Sequence, residues 1–145
     1  MAGEVLLDTG ALVSLLDRTQ AHHVACSEWF DGFAGVIVST EAVLTEATHL
    51  LSHTEGGREA CIEFFLAGGA TFVPTDTSSL RRCRELVHQY RDVPMDFAEA
   101  TLVALAEELG TRRVFTLDAD FEVYRLPRRV RFDLVPDVPR RRRRR

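Results

Sequence analysis

Short apolar runs alternate with longer stretches of helical periodicity along the whole chain, and that alternation leaves few architectures open. Glu4 to Leu7, Val36-Ile37-Val38, Thr71-Phe72-Val73 and Arg113 to Leu117 are short and apolar, so they read as strands. After the first strand, Ala11, Leu12, Leu15 and Leu16 recur at helical spacing. Further helices are expected over Ala21 to Phe33, from a Ser39 or Thr40 cap through His53, and over Glu55 to Leu66. Two more follow, from an Asp76 or Thr77 cap to Tyr90 and from Pro94 to Leu109. Arg131 to Val135 can add a short fifth strand at an edge. Strands and helices in this order predict an α/β fold with a mostly parallel sheet covered on both faces. Ligands of such sheets gather at the carboxyl ends of the strands.

Acidic residues recur at that end. Asp8 follows the first strand and Asp118-Ala119-Asp120 the fourth. Asp8 can instead cap the next helix, although Thr9 is also able to do so. Glu46 has Ala42, Val43 and Leu50 as helical neighbours, which puts it on or at the edge of an apolar face. Glu99 has Met95, Leu102 and Val103 in the same relation, and Asp96 lies on its side of the helix. Asp96 also sits in the first turn, where the helix dipole alone would favour an acid. Of Asp118 and Asp120, one can bind a cation while the other orients water or caps Phe121 to Tyr124.

Each acid has an ordinary explanation by itself, but together they are hard to dismiss. Acids within apolar runs are costly to bury without compensation, and the chain has no lysine to pair with them. A set of carboxylates without His or Cys favours a hard divalent cation, Mg²⁺ or Mn²⁺. Phosphodiester hydrolysis is the natural reaction of such a site.

Composition narrows the rest. At 145 residues the chain fits one domain with a genuine core. No apolar run reaches the length of a membrane span and no signal-peptide pattern opens the chain, so a cytoplasmic location is expected. Cys26, Cys61 and Cys83 form no C-x-x-C pair and read as buried free thiols. All 18 basic residues are Arg, and six of them form the run Arg140 to Arg145. Without that run, 12 Arg face 22 acids, a formal charge of −10 on residues 1–139. Pro136 and Pro139 mark the expected end of the folded part, giving a domain over residues 1–135 and a Pro/Arg-rich tail over 136–145. The tail is expected to be a solvated, disordered end, which does not exclude binding RNA or an acidic partner.

Rival chemistries find little support. His49 and His53 have the spacing of H-E-x-x-H, but Leu50 stands where the glutamate is required. A P-loop is impossible without lysine, and no Gly-x-Ser-x-Gly elbow occurs.

Four pieces carry a family resemblance: LLDTGALVSLLDR, STEAVLTEATHLL, PMDFAEATLVALAEELG and VFTLDADFEVYR. Together they resemble the PIN-domain ribonucleases, specifically the VapC toxins of bacterial toxin–antitoxin pairs, over about Glu4 to Arg125. The resemblance implies a three-layer α/β/α sandwich around a four- to five-stranded parallel sheet. It also implies a Mg²⁺- or Mn²⁺-dependent endoribonuclease acting on structured RNA, tRNA or rRNA. Metal ligands carried over from the family are Asp8, Glu46, Glu99 and Asp118, with Asp96 and Asp120 as further catalytic acids. Thr116 matches a small hydroxyl residue often found beside the last acid. The family's usual acid in the penultimate helix is Asp before Ala, whereas Glu99 precedes Ala100 here. Implied partners are a VapB-type antitoxin and a second copy of the chain. The rival reading is a catalytically silent PIN-like module that binds RNA or protein, and Glu99 is its main support.

Overall fold

A computed structural model describes residues 3–142. Strand β1 (Glu4–Leu7) is followed by helices α1 (Thr9–Leu16) and α2 (His23–Gly32), and β2 (Val36–Ser39) by α3 (Glu41–Leu50) and α4 (Gly57–Leu66). Next come β3 (Thr71–Phe72), α5 (Thr77–Gln89), α6 (Phe97–Leu109) and β4 (Arg113–Phe115). A 3-10 turn over Ala119–Glu122 leads to β5 (Arg125–Leu126), β6 (Val130–Arg131) and β7 (Asp133–Val135). Five strands form one sheet in the order β3-β2-β1-β4-β7, every pair parallel. With the six helices this is the expected three-layer α/β/α sandwich.

Strand β1 lies at the centre because its run Val5-Leu6-Leu7 is fully buried, as a strand covered on both faces must be. Leu6 pairs with Val38 on one side and Val114 on the other. The chain steps outward from β1 to β2 and β3, then crosses back to place β4 and β7 on the far side. The reversal falls between β1 and β4, and the crevice beyond their carboxyl ends is where a ligand fits this topology. The core packs around the sheet, with Trp29 of α2 stacked on Phe33 and tilted against Phe115 of β4.

Several element ends differ from expectation for local reasons. Helix α3 stops at Leu50 rather than His53, because the backbone turns where Thr54 N donates to Leu51 O at 3.0 Å. Helix α4 starts at Gly57, two residues late, after the left-handed Gly56 (φ 68°). A Cβ on Gly57 would meet Leu51 O at 2.5 Å, so the corner needs glycine. Helix α6 begins at Phe97 with Asp96 as its N-cap, and Gly110 (φ 67°) closes it. Arg131 pairs with Arg125 in the antiparallel β5–β6 hairpin, and only Asp133–Val135 joins the sheet, as a parallel edge strand.

Contacts continue past Val135, where the sequence reading put the domain boundary. Arg140 Nε donates to Thr116 O at 3.0 Å, and Ala119 N donates to Arg141 O at 3.1 Å. The last arginines of the run lie outside the described residues.

Candidate metal centre

The site grows from the two central strands. Where β1 ends, Asp8 turns extended and caps α1, accepting from Thr9 N at 2.8 Å. Its other oxygen accepts from Thr116 Oγ1 at 2.6 Å, just beyond β4. Thr116 Oγ1 in turn accepts from Asp118 N at 3.0 Å. One hydroxyl therefore ties the end of β1 to the loop after β4, and all three residues are buried. Hydrogen bonds to an ionised group contribute about 1.5–3 kcal/mol each, so this link fixes the Asp8 rotamer.

Asp118 extends the chain of contacts, since its Oδ1 accepts from Asp120 N at 2.9 Å and so caps the 3-10 turn. That turn points the Asp120 carboxylate back toward Glu99 of α6. Carboxylate oxygens of Glu99, Asp118 and Asp120 lie within 4.8 Å of one another. Glu99 is 0 % exposed, Asp120 1 % and Asp118 9 %. Carboxylates this close repel one another strongly in a low dielectric, and a cation held between them relieves that repulsion.

Tyr124 holds Glu99 from behind. Its hydroxyl donates to Glu99 Oε2, and its ring is fully buried against Tyr90 and Phe121. Burial, reinforced by the Glu99 carboxylate, pushes the Tyr124 phenol well above the ordinary tyrosine range. The phenol thus stays protonated and donates. Arg142 Nε reaches Asp120 Oδ1 at 3.0 Å from the other side.

Glu46 and Asp96 sit differently. Both are half-buried, and both line an open cleft between α3 and α6 with Thr45, His49 and Phe97. Asp96 Oδ1 accepts from Glu99 N at 2.8 Å, the hydrogen bond of an N-cap. Helices α3 and α6 are held together here by the Thr40 and Thr101 hydroxyls, 2.8 Å apart.

Of the six acids singled out from the sequence, the structure draws Glu99, Asp118 and Asp120 into one tight group. Asp8 is joined to it through Thr116. Glu46 and Asp96 face the adjoining cleft. Sequence reasoning missed Tyr124 and Arg142. Tyr124 sits in VFTLDADFEVYR and gave no sign beyond being aromatic, whereas the arginine run was visible but the docking of Arg140 through Arg142 was not. The all-oxygen donor set, buried and with no lysine in the chain, fits a hard divalent cation.

A PIN-domain family model matches residues 5–126. This chain is a PIN domain. Ribonuclease VapC26 of Mycobacterium tuberculosis is 30 % identical to it over 135 residues, covering 91 % of this chain and 100 % of that protein. Among solved structures, Mycobacterium tuberculosis VapC20, described as a sarcin-ricin-loop-cleaving toxin, superposes with a TM-score of 0.76 at 19 % identity. The match covers 82 % of this chain and 93 % of VapC20. VapBC2 from Rickettsia felis, bound to a promoter DNA fragment, gives 0.63 at 14 % identity, covering 92 % and 99 %. At those identities the structures support the fold of this PIN domain and nothing finer. No helix among its described residues is long and apolar enough to cross a membrane.

Proposed function

We propose that this PIN domain is a divalent-metal-dependent endoribonuclease, the toxin of a type II toxin–antitoxin pair, that hydrolyses phosphodiester bonds in structured RNA. The observation that carries the reading is the buried group Glu99, Asp118 and Asp120 beside Asp8, at the sheet edge where ligands of this topology bind. Similarity to Ribonuclease VapC26 over nearly the whole of both chains supports the ribonuclease activity.

Asp8, Glu46, Glu99 and Asp118 are the residues assigned to hold the ion, and Asp120 now joins them on the strength of its position. Mg²⁺ or Mn²⁺ supplies charge neutralisation at the phosphate and activates water. The chain supplies geometry. Thr116 fixes Asp8 and the Asp118 backbone in one register, and Tyr124 fixes Glu99, so the carboxylates need little reorganisation when a substrate arrives. An acid of the group takes the proton from the attacking water. The water oxygen bonds to phosphorus, the P–O3′ bond breaks and the departing 3′-oxygen takes a proton from solvent, leaving a 5′-phosphate and a 3′-hydroxyl. Glu99 in place of the family's aspartate fits this scheme: its additional methylene lets the carboxylate reach the group from the first turn of α6 while accepting from Tyr124.

Tight regulation follows from the type of activity. The proposed partner is a VapB-type antitoxin, in line with the VapBC2 pair of Rickettsia felis and a toxin–antitoxin complex from Klebsiella pneumoniae that share the fold. A homodimer in the cytoplasm is the proposed working state.

The direct test is cleavage of total cellular RNA by purified, antitoxin-free protein with Mg²⁺ or Mn²⁺, beside its Asp8→Asn variant. Discrete fragments from the wild type alone are expected. A folded wild type that cuts nothing with either ion would return the silent binding module as the better reading.

A further inference from the structure

An acidic nuclease has a physical difficulty: its substrate is a polyanion, and residues 1–139 carry a formal charge of −10. A divalent ion answers this at the reacting phosphate only. The flanking phosphates need cations from the chain itself.

The C-terminal arginines are placed to give them. Arg140 is half-buried and spends its guanidinium on main-chain carbonyls: Nε on Thr116 O, Nη1 on Val138 O at 3.1 Å, and Nη2 on Pro136 O. No carboxylate is among those partners, so Arg140 acts as a rivet that fastens the tail to the segment carrying the site. Arg141 then lies alongside Asp118 in a parallel bridge, its carbonyl accepting from Ala119 N. Arg142 contacts Asp120 through Nε, yet its side chain is still 61 % exposed. Two exposed arginines are thereby laid along the rim of the acidic group. A guanidinium fork beside a phosphoryl-transfer centre matches the geometry of phosphate oxygens.

We propose that residues 140–142 form a phosphate-binding strand for the RNA backbone, docked by Arg140 and presenting Arg141 and Arg142 to phosphates that flank the scissile bond. This rests on the ribonuclease reading. It assigns the tail a placed role in substrate binding rather than that of a solvated charge run.

The test measures binding of a fluorescent structured RNA by anisotropy, with Mg²⁺ present, as a function of salt. Every protein carries Asp8→Asn so that the RNA stays whole, and thermal unfolding checks each fold. Replacing both outer arginines, Arg141→Ala with Arg142→Ala, is expected to weaken binding at least about fivefold at physiological salt. It should also flatten the plot of log affinity against log salt by roughly 1.4–1.8, two contacts at about 0.7 each on single strands or about 0.9 each on duplex. Arg140→Ala is the sharper arm. It keeps five of the six tail arginines but removes the rivet, so it should weaken binding about as much as the double replacement.

Arg140→Ala binding RNA like its parent would overturn the proposal, since undirected charge would then suffice. Tighter RNA binding, or a lower Mg²⁺ requirement for cleavage in the same replacements made without Asp8→Asn, would overturn it too, by showing the tail to be a plug. If the Asp8→Asn parent binds no RNA and the wild type cuts none, the ribonuclease reading falls with it. Binding by the parent that all the tail variants share would sink the tail alone.

Discussion

Two groups of acids face the same end of the sheet, and they are built on opposite principles. Glu99, Asp118 and Asp120 are buried, mutually close, and locked by Tyr124 and the Thr116 link. Glu46 and Asp96 line an open cleft in which water can solvate them. Burying a carboxylate costs several kcal/mol unless something compensates, so a fold has reason to keep the first group only if an ion or substrate uses it. The second group costs little to keep. Its members can serve the chemistry, but their presence alone does not demand it.

That contrast predicts a gradient. Asp118→Asn should have the largest effect on cleavage, a loss on the order of 10²–10³-fold or more, because a charge aimed at the reacting centre disappears. Its thermal midpoint should hold or rise, since one of three neighbouring negative charges is gone and Asn can still cap the 3-10 turn. Cleavage within tenfold of wild type would mean that the buried group is not where the reaction occurs.

Glu46→Gln probes the other side, a ligand in an open cleft that water can replace, and should cost roughly 10–100-fold, about what losing an outer partner of a metal site costs. It should raise the Mg²⁺ concentration needed for half-maximal cleavage without shifting the thermal midpoint. A loss as deep as that of Asp118→Asn would erase the distinction between a solvated ligand in the cleft and the buried group.

The sequence made the fold and the pool of acids legible, but not their division into two groups. Strand and helix alternation fixed the parallel sheet because β-branched runs such as Val36-Ile37-Val38 have few other uses. Topology then required Asp8 and Asp118 to meet, as both follow central strands. Asp120 was hard to read because its direction depends on a four-residue 3-10 turn, and a short turn has no periodicity to betray it. Glu46 and Glu99 both looked like acids on apolar helix faces. Their difference in burial is set by which neighbours close over them, and in the case of Glu99 that is Tyr124, 25 residues away in the chain. The docked tail was least legible of all. An arginine run has the composition of a solvated end, and the contacts that fasten Arg140 through Arg142 to main-chain carbonyls, Ala119 N and Asp120 leave no mark in the sequence.

Tyr124→Phe asks how much the lock on the buried group is worth. Removing the donor leaves a buried carboxylate oxygen to lose its partner, so the fold should lose about 1–3 kcal/mol, read by denaturant titration without metal. Cleavage should fall only a few-fold, since no ligand is removed. Alkaline pH gives a second reading. The Tyr124 phenol is held above the unfolded-state value of about 10, so the native chain keeps a proton that the unfolded chain releases. Its contribution to stability is therefore full below about pH 10 and declines as pH rises beyond it. Tyr124→Phe should decline less steeply over that range, and equal slopes would show that the phenol is not held as the structure has it.

Asp96→Asn should have the smallest effect, and it decides how far the chemistry spreads into the cleft. Asn accepts an N-cap hydrogen bond about as well as Asp, so the bond from Glu99 N survives and the unfolding free energy should change by no more than a few tenths of a kcal/mol. Asp96→Ala, by contrast, loses the cap and should cost about 1 kcal/mol. If Asp96 matters only by starting α6 and so setting the position of Glu99, cleavage follows the cap: Asn cuts nearly as well as Asp, and Ala less well. If its charge takes part, cleavage follows the carboxylate, and Asn and Ala are impaired alike despite their different stabilities. The second pattern would extend the catalytic group from the buried pocket into the cleft, and the first would confine it to the acids that the fold has taken out of water.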